Sequence, residues 1–242
     1  MNWMKKVAVA LVCLLPLGLQ AAKVDTLQVK SPSMNKSIEV VVVSPDVAAT
    51  KACPVIYLLH GYGGNARTWV GIKPDLSKIA DEKGIFFVCP DGKNTWYWDS
   101  PLNADVRYET FISDELVKYV DSHYKTVADR KGRAITGLSM GGHGAMWNGL
   151  RHSDVFSAAG STSGGVDIRP FPKNWEMSVQ IGEKAKYPEN WEKYTVINLV
   201  PTLRKDQIAL IFDCGHSDFF LEVNKNYHEA LLKPVSYTHL TL

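Results

Sequence analysis

The pentapeptide Gly137-Leu138-Ser139-Met140-Gly141 constrains what this chain can fold into more than any other feature. It follows Arg133-Ala134-Ile135-Thr136, a β-type run, and opens a stretch from Gly142 to Arg151 with apolar residues at helical spacing. A serine on such a strand-to-helix turn takes up a strained backbone conformation that admits only small neighbours, hence the glycines at 137 and 141. The turn lifts the hydroxyl clear of the sheet. The helix N-terminus behind it offers a positive field and free N–H groups where negative charge develops in acyl transfer. Ser139 is therefore the candidate nucleophile, and Met140 N–H a candidate donor to an oxyanion.

Around this turn the chain alternates short apolar runs with helical stripes. Strands are expected at Ile38 to Val43, Val55 to Leu59, Ile85 to Val88, Arg133 to Gly137, Phe156 to Gly160 and Ile208 to Asp213. Helices are expected at Leu76 to Lys83, Phe111 to Asp121, Gly142 to Arg151 and Phe219 to Lys233, with Ile112, Leu116, Val117 and Val120 the clearest stripe. Repeated βα units imply an α/β fold with a mainly parallel twisted sheet and helices on both faces. The 242 residues, with 45% hydrophobic and 21% charged, suit one packed domain. The stretch Asp167 to Thr195, rich in proline and tryptophan, reads equally well as a roof over a site or as an ordinary surface connection.

Both ends stand apart from that domain. Lys5 and Lys6 precede the apolar run Val7 to Leu19, which is broken by Pro16 and Gly18 and followed by Gln20-Ala21-Ala22. This is the outline of a signal peptide over residues 1–22, and it implies a secreted or periplasmic protein. Val12 stands before Cys13 where a lipoprotein needs a small residue, so no lipid anchor is expected. No later segment supplies ~20 apolar residues, so no stable membrane span is expected. Lysine and arginine number 27 against 25 acidic residues, without a basic run beyond the N-terminus, which argues against a nucleic-acid partner. Past the signal stand Cys53, Cys89 and Cys214, an odd count in strand-like surroundings. They read as buried small hydrophobes, and their spacing offers no metal site.

A second glycine-rich element, His60-Gly61-Tyr62-Gly63-Gly64, comes straight after the run Val55 to Leu59. Glycines there let backbone N–H groups turn toward a ligand, so the oxyanion hole is assigned to the N–H of Tyr62 and that of Met140. A nucleophilic serine also needs a base, and the base an orienting carboxylate, in the chain order Ser, then Asp or Glu, then His. After Ile208 to Phe212, either Asp213 or Asp218 could serve as the acid on chemistry alone. Asp218 stands in the following loop, from which a side chain can reach across.

These segments, with Asp91-Gly92-Lys93-Asn94-Thr95-Trp96-Tyr97-Trp98-Asp99-Ser100-Pro101 and Phe212-Asp213-Cys214-Gly215 through Asp218-Phe219-Phe220, resemble the Putative esterase family of the α/β-hydrolase fold. Its members include S-formylglutathione hydrolases, tributyrin, feruloyl and acetylxylan esterases, and mycolyltransferases. The resemblance runs from about Cys53 to about Lys233. It implies Asp218 as the acid of the triad and substrate-side roles for Trp96, Asp99 and Ser100, although Trp96 to Trp98 also reads as a half-buried aromatic cluster. The function it implies is that of a serine carboxylester hydrolase needing no cofactor and acting on short acyl, acetyl or feruloyl esters, including carbohydrate-linked ones. Acyl transfer of the mycolyltransferase type and a non-catalytic carbohydrate-binding role are the alternatives. The chain departs from the family after the last helix, where a further strand and a histidine-bearing loop are expected and do not stand. Residues 23–234 are thus the expected esterase domain and 235–242 a non-native tail resembling adapter read-through. His239 has the right chain order for the base but not the family's surroundings.

Overall fold

In the computed structural model, residues 22–232 are described in full and residues 239–241 as backbone. The expected signal segment and most of the expected tail lie outside the described residues. The strands are β1 (Lys23–Ser31), β2 (Lys36–Ser44), β3 (Val55–Leu59), β4 (Phe86–Pro90), β5 (Arg133–Gly137), β6 (Ala158–Thr162), β7 (Ala209–Asp213) and β8 (His239–Thr241). They form one sheet in the order β1-β2-β4-β3-β5-β6-β7-β8. β1 and β2 pair antiparallel, as do β2 and β4, and every later pairing is parallel. The helices are α1 (Thr68–Ile72), α2 (Leu76–Lys83), α3 (Tyr108–Thr110), α4 (Leu116–His123), α5 (Met140–Arg151), α6 (Met177–Ile181), α7 (Pro188–Lys193) and α8 (Leu221–Leu231). A π-type turn over Phe111–Glu115 joins α3 to α4.

The alternation of side chains along a strand explains why the central strands read as unbroken apolar runs. In β2, Val40 and Val42 join one core cluster while Val41 and Val43 join another. β4 divides likewise, Phe86 and Val88 against Phe87 and Cys89. The larger cluster receives Leu116, Val117 and Val120 of α4, Ala145, Met146 and Leu150 of α5, and Val223, Tyr227 and Leu231 of α8. The smaller one receives Leu76 and Ala80 of α2. That helix stops at Gly84, whose φ of 64° suits the left-handed C-terminal cap that glycine adopts without penalty.

Three features differ from the sequence expectation. β6 starts two residues later than Phe156, because Phe156 is buried as a core residue ahead of the strand while the strand itself is Ala-Ala-Gly-Ser-Thr. β1 carries too few inward apolar residues for its alternation to be read; of its nine positions only Val29 and Ser31 are buried. The expected lack of a strand after the last helix is corrected by β8, which pairs parallel to β7 with His239 opposite Ile211 and Thr241 opposite Asp213.

The cysteines Cys53, Cys89 and Cys214 are free and buried. Cys53 belongs to the larger core cluster and Cys89 to the smaller. Among the described residues no group of histidine, cysteine and carboxylate side chains could hold a metal ion, and no helix is long and apolar enough to cross a membrane.

Candidate active site

The turn between β5 and α5 is as tight as its glycines suggest. A Cβ on Gly141 would stand 2.1 Å from the carbonyl oxygen of Leu59, and one on Gly137 would stand 2.3 Å from the backbone of Gly141. Ser139 sits at φ 57°, ψ −114°, a conformation that L-residues occupy only under strain. Its own N–H donates to Thr162 O (2.9 Å) on β6, and its carbonyl accepts from His143 N–H (3.0 Å). The strain is thus held by the neighbouring strand and by the helix it opens. Ser139→Gly is expected to raise stability by about 1 kcal/mol, since glycine enters this conformation freely and offsets its greater unfolded-state entropy. Chemical denaturation measures it, and a lower midpoint would show that the turn is not strained.

The loop after β3 comes right up to this turn. A Cβ on Gly61 would lie 3.3 Å from Leu138 O and 3.6 Å from Ser139 Cβ. His60 is a structural wedge for the loop: its Nδ1–H donates to Gly61 O (2.8 Å) and its Nε2 accepts from Gly92 N–H (2.9 Å). The Tyr97 hydroxyl donates to His60 O (3.1 Å), Gly64 N–H to Gly61 O (3.0 Å) and Gly63 N–H to Asn94 Oδ1 (2.9 Å). Among the described residues the N–H groups of Tyr62 and Met140 have no protein acceptor. These are the two donors assigned to the oxyanion hole from the sequence.

Asp213 closes β7, gives its carbonyl to Ser163 N–H (2.9 Å) and takes the Thr162 hydroxyl on its carboxylate at 3.3 Å. Asp218 lies in the loop beyond, with Oδ1 accepting from Phe220 N–H (2.8 Å). Both are half-buried. No described histidine hydrogen-bonds to the Ser139 hydroxyl. His143 is fully buried on α5, where its Nε2 accepts from Trp98 Nε1–H (2.8 Å) and its Nδ1–H donates to Gly165 O (2.8 Å). Burial pushes its pKa down to about 4, against the pull of the Gly165 bond. His123 caps the end of α4 beside Tyr119, His152 binds the Glu109 carboxylate, His216 is exposed on the Asp218 loop, and His228 lies on α8. The backbone of His239 is on β8, three strands from β5 and so roughly 14 Å away laterally.

Of the residues for which the resemblance implies substrate-side roles, Trp96 and Ser100 are buried and Asp99 is half-buried. Ser100 is fully buried, and its hydroxyl donates to Gln180 O (2.6 Å) while accepting from Leu102 and Asn103 N–H. Trp96 is 1% exposed, stacked on Trp98 and edge-on to His143. Asp99 accepts from Thr110 N–H and its hydroxyl, at 3.0 and 2.6 Å. All three hold the wall of the site together. Sequence reasoning missed Phe219 as part of an open aromatic face beside them. Trp175, half-buried, stacks on Phe219 at 5.2 Å, and Phe219 is 61% exposed immediately after Asp218. The segment 167–195 therefore meets the loop that carries Asp218 directly.

The family model described as Putative esterase matches residues 31–235. The chain belongs to this esterase family. Esterase Rv1288 of Mycobacterium tuberculosis is 31% identical over 149 residues, covering 59% of this chain and 32% of that protein. The chain thus spans about a third of the length of that curated relative. An acetyl esterase of Caldicellulosiruptor saccharolyticus is 25% identical over 73% of this chain and 70% of its own. Among solved structures, a ferulic acid esterase superposes with a TM-score of 0.73 at 28% identity, over 91% of this chain and 90% of that one. An S-formylglutathione hydrolase from Agrobacterium tumefaciens, at TM-score 0.72 and 24% identity over 90% and 84%, shares the α/β-hydrolase fold of the esterase family.

Proposed function

We propose that this chain is a serine carboxylester hydrolase that works through an acyl-enzyme on Ser139. The observation that carries the reading is the strained Ser139 turn flanked by two unpaired N–H groups, those of Tyr62 and Met140. Ser139 Oγ attacks the acyl carbon as its proton passes to the base, and the bond between the acyl carbon and the alcohol oxygen breaks as the tetrahedral intermediate collapses, the alcohol leaving with that proton. Negative charge on the former carbonyl oxygen is met by the two N–H donors, which cost little reorganisation if held ready for it, and their lack of protein acceptors among the described residues supports this. Water then releases the acid and restores the serine. The Ser139 proton needs an acceptor, with Asp218 as the carboxylate that orients it. Among the described residues that histidine is the missing member, so a complete triad draws it from outside them. The alternating Trp175 and Phe219 rings at the acid loop support an aryl acyl group such as feruloyl, since flat rings pair favourably at these separations. The basic-then-apolar N-terminal sequence supports export, where such esters on carbohydrate are met.

Mass spectrometry after mixing with p-nitrophenyl acetate tests the mechanism. Where no histidine serves Ser139 as base, deacylation is slow, so an acetyl adduct is expected to accumulate on the peptide carrying Ser139 and to be absent from Ser139→Ala. Hydrolysis without any Ser139 adduct, unchanged in Ser139→Ala and in a form extended by a histidine loop, would overturn the reading.

A further inference from the structure

The segment from Trp175 to Glu176 is held in a conformation that the backbone resists. Both residues lie in the left-handed region, at φ 47° and 53°, and neither is glycine. The surroundings impose this: Trp96 Nε1–H donates to Trp175 O at 3.1 Å, and the Trp175 ring is packed by Phe171, Phe219 and Phe220. The result of the turn is to bring the Glu176 carboxylate to the glycine loop after β3. Asn94 Nδ2 donates to Glu176 Oε2 (3.3 Å), while Asn94 Oδ1 accepts from Gly63 N–H (2.9 Å). Gly63 itself is at φ 77°, so the peptide next to Tyr62 has few other restraints.

We propose that Glu176 is a positioning residue for the oxyanion hole: through Asn94 it fixes the peptide of Gly63 and thereby the direction of the Tyr62 N–H. The inference rests on the esterase reading above and extends it to a residue more than a hundred positions away in sequence. The Tyr62 phenol supports the placement, since the nearby Glu176 carboxylate, ahead of burial, raises its pKa. Glu176 is exposed, so the tie contributes little to global stability and acts on the geometry of one exposed loop. A misaimed donor weakens transition-state binding while leaving ground-state binding nearly intact.

The test uses the full chain and its turnover of p-nitrophenyl acetate, together with amide hydrogen exchange of residues 61–64. Glu176→Ala is expected to lower kcat about tenfold with KM held within about twofold, a fraction of what losing an oxyanion donor costs. Glu176→Gln keeps an acceptor for Asn94 and is expected to stay within about threefold of the parent. Asn94→Ala should match Glu176→Ala, and the double variant should be no worse than Asn94→Ala, because both break one path. Exchange at 61–64 should quicken in Glu176→Ala while the sheet is unchanged. Unaltered loop exchange in Glu176→Ala, or additive losses in the double variant, would overturn the tie. If turnover proves independent of Ser139 and of the oxyanion loop, the esterase reading fails, and loop exchange alone still decides whether Glu176 holds Gly63.

Discussion

Ser139→Ala is expected to reduce ester hydrolysis roughly 10⁴- to 10⁶-fold in a form that carries a histidine loop after β8, and by less than about tenfold in a form in which no histidine reaches Ser139. The contrast follows from the way a triad works. Serine, base and acid act as one unit, so deleting any member removes nearly the whole covalent route, and deleting a second member adds little. What remains is direct attack by water on a substrate whose carbonyl is held by the oxyanion donors. In this chain the N–H groups proposed as those donors, of Tyr62 and Met140, have no protein acceptor among the described residues, and no described histidine bonds to Ser139. The residual rate is therefore a property of the hole and survives loss of the hydroxyl. Initial rates on p-nitrophenyl acetate, with circular dichroism to confirm that each variant is folded, decide the matter. A loss of several powers of ten in the unextended chain would mean that a histidine reaches Ser139 after all.

Lowering the pH from 6.5 toward 4 is expected to remove about 3 kcal/mol of folding stability through His143 alone. In the folded state this imidazole is fully buried and neutral, with one ring nitrogen donating to Gly165 O and the other accepting from Trp98. Protonation would turn the accepting nitrogen into a donor facing another donor, inside a fully buried site. Its folded pKa of about 4 lies below the ordinary value near 6.5, so between those limits the unfolded chain binds a proton that the native state refuses. Stability is then present in full above the unfolded pKa and falls as pH drops through this window. Urea midpoints at about pH 7.5 and 5.5 measure the upper part of this loss, above the range in which ordinary carboxylates titrate. His143→Gln, which can still accept from Trp98 and donate to Gly165, should flatten the slope at some cost at neutral pH. A parent midpoint that does not move across the window would show that the Trp98 to Gly165 bridge opens to admit the proton.

Much of this was legible in the sequence because it is written locally. The Ser139 turn needs glycines at fixed offsets, and the central strands bury both faces, so their runs are plainly apolar. β6 was displaced by two residues because Phe156 is the more hydrophobic signal but packs ahead of the strand. α6 and α7, of five and six residues, are too short to show a helical period, and they lie in the stretch whose role the sequence left open. The buried states of Trp96 and Ser100 depend on Trp175 and Gln180, some eighty residues on, which no local pattern encodes. The Glu176 contact is of the same kind: an acidic residue beside a tryptophan carries no signal until the fold sets it beside Asn94.

The three buried thiols bear on reversibility. Cys53, Cys89 and Cys214 are each buried and free, Cys89 in a different cluster from the other two, and burial pushes all three thiols up toward the protonated form. Protonated, enclosed sulfur is chemically quiet. An unfolded chain has no such protection, and in air it can join cysteines that the native sheet holds apart. Each excursion out of the native state is then an opportunity for a cross-link that blocks the return. Persistence in an oxidising environment is accordingly set by how seldom the molecule opens, a rate, rather than by the depth of its free-energy minimum.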